Sequence, residues 1–533
     1  MKCLILLCTI LFIVKNVYTS SPRVDPLVLT SQGLIRGQKA IDGVYSRFLG
    51  IPYALVDITN PFGVSSYLTH PGFDDVFYAN DDTIKCPQPN QNNEQQSLDC
   101  LTLNVYVPYE ASSNNPLPVM AWIHGGQFTN GYAGLYNPRE LVERGIIVVT
   151  INYRLGVYGF MCLDSPYVPG NQGLKDQYEA LLWIRNNIAA FGGNPYNVTL
   201  SGQSAGSCSV LLHLYSAKEK LFHKIISQSG TPQTEGMFGE GDVNAAVNIA
   251  SNLGFNVSDT DQALEVLAQI SPDQLVATVQ DLELQLIPCK EKSFSGVINF
   301  VESDPFSLTN ERKIDNTPIL IGHTNKEGIV MMNSINDDYV QSDPFYERLR
   351  NNFNLNDEEL YKMANMIRHF YVGDESLSTD LLSRLEDFES DFKHYHPTNR
   401  IVTNLLNEKA NPVYQYMFSY TQDDTALGAG HSEDLIYLFQ SNPDIAQTEA
   451  NQLITDRIVT LWSNFVKYGN PTPEQSELLP VLWPVSQGDA RPYLVIDTDL
   501  RVESRVYHDR MAFWDLFYSM YGTKHKLVRE CFI

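Results

Sequence analysis

The chain carries a Gly-x-Ser-x-Gly pentapeptide at residues 202–206, between a short β-prone run at 197–201 and a segment at 208–215 that can continue as a helix. A serine at such a sharp strand-to-helix turn projects its hydroxyl above the sheet edge, which is the geometry of a nucleophile elbow. A side chain at either glycine would crowd the turn. The pentapeptide therefore predicts acyl transfer through Ser204, although an ordinary glycine-rich turn would also explain it alone.

Strand-like and helix-like segments alternate along most of the chain. Apolar runs at 118–123, 145–152 and 317–322 are typical of buried strands, while apolar residues within 176–190 recur at helical spacing. The stretch 55–99 is rich in Pro, Asn, Asp and Gln and is predicted to be the least structured. Continuous apolar strands separated by helices predict an α/β fold with a central, mostly parallel sheet flanked by helices.

The charge balance restricts the class of partner. The 533 residues include 62 Asp and Glu against 37 Lys and Arg, giving a net charge of -25. Such an acidic surface repels phosphate, so a nucleic-acid partner is not expected. Docking on anionic lipid is opposed for the same reason.

The first 19 residues have the pattern of a secretory signal peptide. Lys2 gives a basic start, the run 3–14 is apolar but too short to span a bilayer, and the run 17–19 ends in a small residue suited to signal peptidase. A buried N-terminal helix is disfavoured because polar residues follow at 15–16. No second long apolar stretch occurs, so we expect a secreted, extracellular protein without a membrane anchor.

The cysteines and sequons agree with an oxidising compartment. Cys86 and Cys100 enclose 13 residues rich in Gln and Asn, and a disulfide there would contribute about 3 kcal/mol. Cys208 is predicted to be a buried free thiol, and the remaining cysteines of the mature chain have no obvious partners. Asn197 and Asn256 lie in Asn-x-Ser/Thr sequons, and Asn256 is the better candidate for glycosylation because its surroundings are polar.

A serine nucleophile needs donors for the oxyanion of its tetrahedral intermediate. In an elbow architecture, one donor is the N–H that follows the nucleophile, here that of Ala205. The others come from a glycine-rich turn after an earlier strand, and the turn at 124–128 has this position. A strand-to-loop bend without a catalytic role would show the same glycines.

The serine also needs a base and an orienting acid, which follow it in the order Ser, Asp or Glu, then His. Glu327 stands in a loop after the apolar run 317–322, and His431 stands in a glycine-rich loop before a helix. A solvated glutamate or an uninvolved histidine is the ordinary alternative. Because the chain has 11 histidines, spacing alone does not select His431.

Several further motifs carry a family resemblance that extends from about residue 25 to about residue 520. They are Phe-Leu-Gly-Ile-Pro-Tyr-Ala at 48–54, Asp-Cys-Leu-Thr-Leu-Asn-Val-Tyr at 99–106, Asn-Tyr-Arg-Leu-Gly at 152–156, Asn-Gln-Gly-Leu-Lys-Asp-Gln at 171–177 and Phe-Gly-Gly-Asn-Pro at 191–195. Together they resemble the type-B carboxylesterase and cholinesterase family. The resemblance implies an α/β-hydrolase fold, a Ser204–Glu327–His431 triad, a Cys86–Cys100 disulfide and a buried Arg154–Asp176 ion pair.

The resemblance also implies the remaining parts of the site. Oxyanion donors are expected at Gly125, Gly126, Gln127 and Ala205, and residues behind the triad around His431 are expected to be Gln203, Ser229 and Asp434. No cofactor or metal is expected, and the substrate is a small-molecule ester. Because groups from 124 to 431 must converge, residues 20–533 are expected to form a single domain. No oligomeric state is predicted.

Departures from the family pattern bear on the substrate. Gln127 replaces a common glycine, so its side chain is expected to narrow the site. The loop between Cys86 and Cys100 has no Trp to attract a quaternary ammonium, which argues against choline esters. Gln203 and the spacing from His431 to Asp434 resemble the juvenile hormone esterases of insects.

Two other interpretations stay open. One is a general insect carboxylesterase, including types that degrade odorants or pheromones. The other is a catalytically inactive adhesion relative of the cholinesterases, although such proteins typically lose a triad residue and carry a membrane segment.

Overall fold

The structure is a computed structural model that describes residues 26–68, 72–89, 96–329, 336–422, 427–439 and 448–527. The predicted signal peptide at 1–19 and Cys531 lie outside these residues. Within them, no helix combines the length and apolar character needed to cross a membrane.

The strands form one large sheet and two small ones. In chain order they are β1 Leu27–Thr30, β2 Gly33–Arg36, β3 Gln38–Lys39, β4 Tyr45–Pro52, β5 Ala54–Leu55, β6 Ser66–Tyr67, β7 Phe77–Tyr78, β8 Thr102–Pro108, β9 Leu117–Ile123, β10 Ile147–Ile151, β11 Gly193–Gln203, β12 Lys224–Gln228, β13 Ile319–Thr324, β14 Val413–Phe418, β15 Pro492–Ile496 and β16 Arg501–Ser504.

The large sheet has 11 strands in the order β16-β15-β14-β13-β12-β11-β9-β10-β8-β4-β3. The strands from β10 to β15 in this order pair in parallel, and the strands at both edges pair antiparallel. The predicted α/β architecture with a central, mostly parallel sheet is therefore confirmed.

The helices cover both faces of this sheet. In chain order they are α1 Arg139–Glu143, α2 Gly156–Phe160, α3 Gln172–Asn187, α4 Ala205–Tyr215, α5 Ala245–Asn252, α6 Thr260–Leu267, α7 Pro272–Asp281, α8 Glu311–Ile314, α9 Asp337–Gln341, α10 Pro344–Asn352, α11 Asp357–Tyr371, α12 Leu382–Ser390, α13 His396–Asn407, α14 Glu433–Phe439, α15 Glu449–Tyr468 and α16 His508–Tyr521, with a π-helix at Asp391–Tyr395 between α12 and α13.

The central strands are buried on both faces, which explains their continuous apolar character. Every residue of β10, β12 and β13 is buried. Separate apolar clusters on the two sides of the sheet pack it against the helices. Since β11, β12 and β13 are parallel neighbours, their carboxyl ends meet at one edge, where α/β folds place their sites.

A buried ion pair joins the segment that follows β10 to α3. Arg154 Nη2 lies 2.7 Å from Asp176 Oδ1, with both side chains fully buried. Arg154 Nη1 also donates to the carbonyls of Pro61 and Gly63, at 3.0 and 2.7 Å, so part of the predicted unstructured stretch is fixed to the core. The implied ion pair is therefore present, with its charges paired and hydrogen-bonded as burial requires.

The structure contains two disulfides among the described residues. Cys86–Cys100 is present as the resemblance implied. Cys162–Cys289 joins residues 127 positions apart, for which the sequence indicated no pairing. Cys208 is buried and free, in agreement with the prediction.

Candidate active site

Ser204 stands at the junction of β11 and α4 in a strained backbone conformation. Its φ of 57° and ψ of −122° lie where a non-glycine residue is rarely found. Its N–H donates to the Gln228 carbonyl at 2.8 Å, which fixes the turn to the end of β12. A Cβ at Gly202 would lie 2.5 Å from the Gly206 carbonyl carbon, and one at Gly206 would lie 2.1 Å from the Ile123 oxygen. The elbow therefore requires both glycines.

The glycine-rich turn lies directly against this elbow. A Cβ added to Gly125 would lie 3.1 Å from Ser204 Cβ, so the two backbones are in close approach. Gly126 has φ 110° and the exposed Gln127 has φ 55°. Within the described chain, no acceptor is hydrogen-bonded to the N–H of Gly126 or Gln127. Ala205 is the first residue of α4, where an N–H has no partner inside the helix.

The His124 side chain supports the turn from behind. The ring is buried, its Nδ1 lies 2.8 Å from the Gly125 carbonyl, and it stacks on Tyr153 with 4.4 Å between centroids. Tyr153 Oη donates to the His124 carbonyl at 2.8 Å. Burial lowers the pKa of His124 to about 4, so this ring is neutral near pH 7 and adds no charge to the turn.

Glu327 and His431 form a close pair. His431 Nδ1 lies 2.5 Å from Glu327 Oε2, and the glutamate is fully buried while the histidine is 18% exposed. The other Glu327 oxygen accepts the Thr324 N–H at 2.9 Å. Burial by itself would raise the pKa of Glu327, but His431 and His394 outweigh it and hold that pKa below its usual range. The pair has the arrangement of an acid that orients an imidazole.

The other ring nitrogen of His431 faces the elbow. Gln203 Nε2 lies 3.1 Å from His431 Nε2 and also donates to Ser432 Oγ at 2.8 Å. Among the described side chains, no hydrogen bond joins Ser204 Oγ to His431. Catalytic hydrogen bonds of this kind are often loose in free enzymes and tighten when substrate binds. The elbow and the base therefore meet through Gln203 in the free chain.

This combination of elbow, open N–H groups and acid–base pair coincides with a family match. The model of the carboxylesterase family matches residues 24–514. The chain belongs to the carboxylesterase family. The resemblance drawn from the motifs is thereby confirmed, together with the α/β-hydrolase fold that it implied and the assignment as a carboxylic ester hydrolase.

Curated members of the carboxylesterase family match along most of the chain. Juvenile hormone esterase of Heliothis virescens is 28% identical over 539 residues, covering 91% of this chain and 93% of the relative. Esterase FE4 of Myzus persicae is 31% identical over 529 residues, covering 90% and 91%. Carboxylesterase 5A of Mus musculus is 30% identical over 441 residues, covering 78% and 73%.

Two other predicted residues of this carboxylesterase lie deeper than Gln203. Asp434 is fully buried, and its Oδ2 accepts Gln228 Nε2 at 2.8 Å and Tyr416 Oη at 3.2 Å. Asp434 Oδ1 is buried without a hydrogen-bond partner among the described residues. The buried Ser229 hydroxyl lies beside Glu327 and helps to lower the pKa of that carboxyl. Burial raises the pKa of Asp434 to about 6. The structure thus brings Gln203 to His431 itself and the other two behind it.

His394 is a residue near the pair that the sequence did not indicate. It lies in the π-helix, its Nδ1 is 3.9 Å from Glu327 Oε2, and its ring centroid is 5.2 Å from that of His431. Burial lowers the pKa of His394 to about 3, so the imidazole is uncharged. Only a three-dimensional arrangement reveals this contact, because no motif or spacing links position 394 to the triad.

The sequons differ in their surroundings. Asn256 is exposed, whereas Asn197 lies in β11 and its Oδ1 accepts a hydrogen bond from Lys224 Nζ. Glycosylation stays a prediction at both positions, and the structure favours Asn256 for access.

Proposed function

We propose that this carboxylesterase-family chain hydrolyses small-molecule carboxylic esters through an acyl-enzyme on Ser204. The observation that carries the proposal is the 2.5 Å contact between Glu327 and His431 beside a strained serine elbow. A buried carboxylate in this position fixes the tautomer of the imidazole and stabilises its protonated form during catalysis.

In the acylation step, Ser204 Oγ attacks the ester carbonyl while His431 Nε2 accepts its proton. His431 must exchange its contact with Gln203 for one with the serine as substrate enters. The N–H groups of Gly126, Gln127 and Ala205, with Gly125 shaping the turn, bind the oxyanion. The alcohol then leaves with the proton that His431 returns.

In the deacylation step, His431 takes a proton from water, and the resulting hydroxide attacks the acyl carbonyl. The same N–H groups stabilise the second oxyanion, and Ser204 leaves with the proton from His431. The carboxylic acid is released, and the free enzyme is restored without a cofactor.

The setting of this activity is also part of the proposal. A signal peptide at 1–19 would direct the chain out of the cell, where residues 20–533 act as one catalytic domain. Hormone-type esters and odorant or pheromone esters are the proposed substrate classes. Similarity to the juvenile hormone esterase of Heliothis virescens supports the hormone-type esters.

Active-site labelling tests the mechanism. Incubation with an organophosphate, followed by peptide mapping, should place one phosphoryl group on Ser204. Ser204→Ala should lose labelling and lower kcat by about 10⁴-fold or more. Ser209→Ala is the matched control, because Ser209 lies on α4 and bonds to the Ala205 carbonyl at 3.0 Å rather than facing substrate. It should label normally.

Failure of the folded wild-type chain to react at Ser204 would overturn the esterase mechanism and leave a binding protein as the better interpretation.

If the chain is active, a panel of naphthyl, juvenoid and acetate-pheromone esters, compared by kcat/KM, ranks the substrate classes.

A further inference from the structure

The π-helix at Asp391–Tyr395 places His394 against the catalytic pair. Such a helix is rare and occurs mostly as a single turn within α-helices, frequently at functional sites. Here it lies between α12 and α13, and it directs the His394 ring toward Glu327 rather than into the surrounding apolar cluster. The π-helix therefore coincides with a polar contact between His394 and Glu327.

That contact leaves one ring nitrogen of His394 without a hydrogen bond. His394 Nδ1 is buried and has no hydrogen-bond partner among the described residues, and its 3.9 Å distance from Glu327 Oε2 is too long for one. Burying a polar nitrogen unpaired is unfavourable. An imidazole nitrogen without a partner, facing a carboxylate, can bind a cation together with that carboxylate.

Three side chains supply the donors for such a cation. One donor atom each from Glu327, His394 and His431 lie within 4.8 Å of one another. Two imidazoles and a carboxylate are a known ligand set for zinc, at metal–ligand distances of about 2.1 Å. These distances imply about 3.4 Å between ligands of a tetrahedral ion. The observed 2.5 and 3.9 Å fall on either side of this value, and no two of the donor atoms are more than 4.8 Å apart. Shifts of about 1 Å would therefore bring the three side chains to tetrahedral distances.

We propose that Glu327, His394 and His431 form a binding site for a borderline divalent cation such as Zn²⁺, and that its occupation switches off ester hydrolysis. The fourth position would be filled by water. His431 is 18% exposed and gives the ion a path from solvent. The binding part stands on the donor geometry alone, whereas the inhibition rests on the proposed function.

The inhibition follows from the tautomer of His431. In the free enzyme, Nδ1–H faces Glu327 and the lone pair on Nε2 serves as the base. A cation bound at Nδ1 needs a lone pair on that nitrogen. The Nδ1 proton therefore moves to Nε2, and no proton is released from the ring. The ring then cannot accept the proton of Ser204. Gln203 would turn its carbonyl oxygen toward the new N–H.

Buffered zinc titrations of the full chain test the site. Free Zn²⁺ is set with a weak chelator while binding is measured by equilibrium dialysis and activity by ester hydrolysis. His394→Asn should weaken both zinc binding and zinc inhibition by at least about tenfold, with inhibition measured relative to the zinc-free rate of the same variant, since even outer-shell partners are worth roughly 10- to 100-fold in metal affinity. His394→Gln provides a second variant if the first folds poorly.

The control is His369→Asn. His369 is 74% exposed and its Nδ1 lies 3.7 Å from Asp374 Oδ1, so it is a surface pair that could take up zinc without affecting catalysis. Its loss should leave the inhibition unchanged, and chelator should restore full activity of the wild type.

The outcomes separate the two proposals. Equal inhibition of the wild type and both His394 variants would overturn the cation site, as would a wild-type chain that binds no zinc at micromolar free concentration. Zinc binding that depends on His394 in a chain without esterase activity would uphold the site and overturn the proposed function instead.

Discussion

The nucleophile elbow and the acid–base loops reach the same point in different ways. The elbow is a single run of five residues, held in shape by its own backbone between β11 and α4. Glu327 and His431 are 104 residues apart and sit on two separate loops. Those loops are joined by hydrogen bonds from Lys326 N–H to the Ala429 carbonyl, at 2.9 Å, and from Ala429 N–H to Asn325 Oδ1, at 2.7 Å.

The conformation of the elbow is fixed by contacts near it in the sheet, whereas that of the two loops is fixed by residues distant in the sequence. At the elbow, contact with the neighbouring strand β9 leaves no space for side chains, so the sequence shows glycine. At the loops, the backbone is less crowded and the contacts come from distant helices. Gly328 N–H, for example, donates to Ser390 Oγ at 2.8 Å. We therefore expect a substitution at an elbow glycine to abolish activity, and a substitution at a loop glycine to lower stability only moderately.

The largest expected effect separates Gly206→Ala from Gly328→Ala. At Gly206 the new Cβ would lie 2.1 Å from the Ile123 oxygen, which is backbone and cannot move without opening the sheet. At Gly328 the nearest atoms lie 3.1 Å away, and one is the Ser390 hydroxyl. Gly206→Ala should abolish activity and most soluble expression, while Gly328→Ala should cost about 1–3 kcal/mol of stability.

Urea denaturation and ester hydrolysis of both purified variants measure this contrast. A Gly206→Ala chain with near wild-type turnover, or a Gly328→Ala chain that is the more damaged of the two, would remove the distinction between the regions.

An intermediate effect is expected at Gln203, which belongs to the elbow but contacts the base. Gln203→Glu places a carboxylate 3.1 Å from His431 Nε2, and this charge stabilises the protonated ring. The acid limb of the kcat/KM profile should move about one pH unit higher. Activity should therefore fall most at the acid end of the profile.

Gln203→Met is the matched neutral control, since it removes both hydrogen bonds without adding charge. It should lower the rate without moving the limb. A Glu variant whose acid limb coincides with that of the wild type would show that Gln203 does not lie beside the working base.

The same contrast explains how far the sequence could be interpreted. The elbow and the strands ending at Ile123 and Thr324 were predicted because their causes are local: crowded glycines and continuous apolar burial. Glu327 and His431 were proposed from chain order, but the family motifs were needed to select them among many acidic residues and histidines.

Features made by distant contacts were not predicted. Cys162 and Cys289 pair only because the fold brings together segments 127 residues apart. The edge strand β16, which pairs antiparallel with β15, has a mostly polar and exposed sequence without a strand pattern. The π-helix that carries His394 has no sequence signature of its own, since its residues could equally continue an α-helix.

The last contrast concerns the stability of the free chain rather than its activity. Asp434 is a buried carboxyl on the loop side of the site, and the elbow has no titratable group that corresponds to it. Burial raises the pKa of Asp434 from 3.8 to about 6 in the folded chain. The folded state therefore binds more protons than the unfolded state between these values, and the free energy of unfolding falls as pH rises from about 4 to 6. This stabilising protonation is fully present below the unfolded value and is lost above the folded one.

Asp434→Asn removes this titration while keeping the size of the side chain. Across pH 4 to 6.5, the wild type should lose up to about 3 kcal/mol more unfolding free energy than the variant, because each pKa unit is worth about 1.4 kcal/mol. Urea denaturation at several pH values measures both slopes, with the exposed Asp281→Asn as a control that should follow the wild type. Parallel slopes for wild type and Asp434→Asn would mean that the carboxylate is ionised at little cost, and the loop side of the site would then be no more pH-sensitive than the elbow.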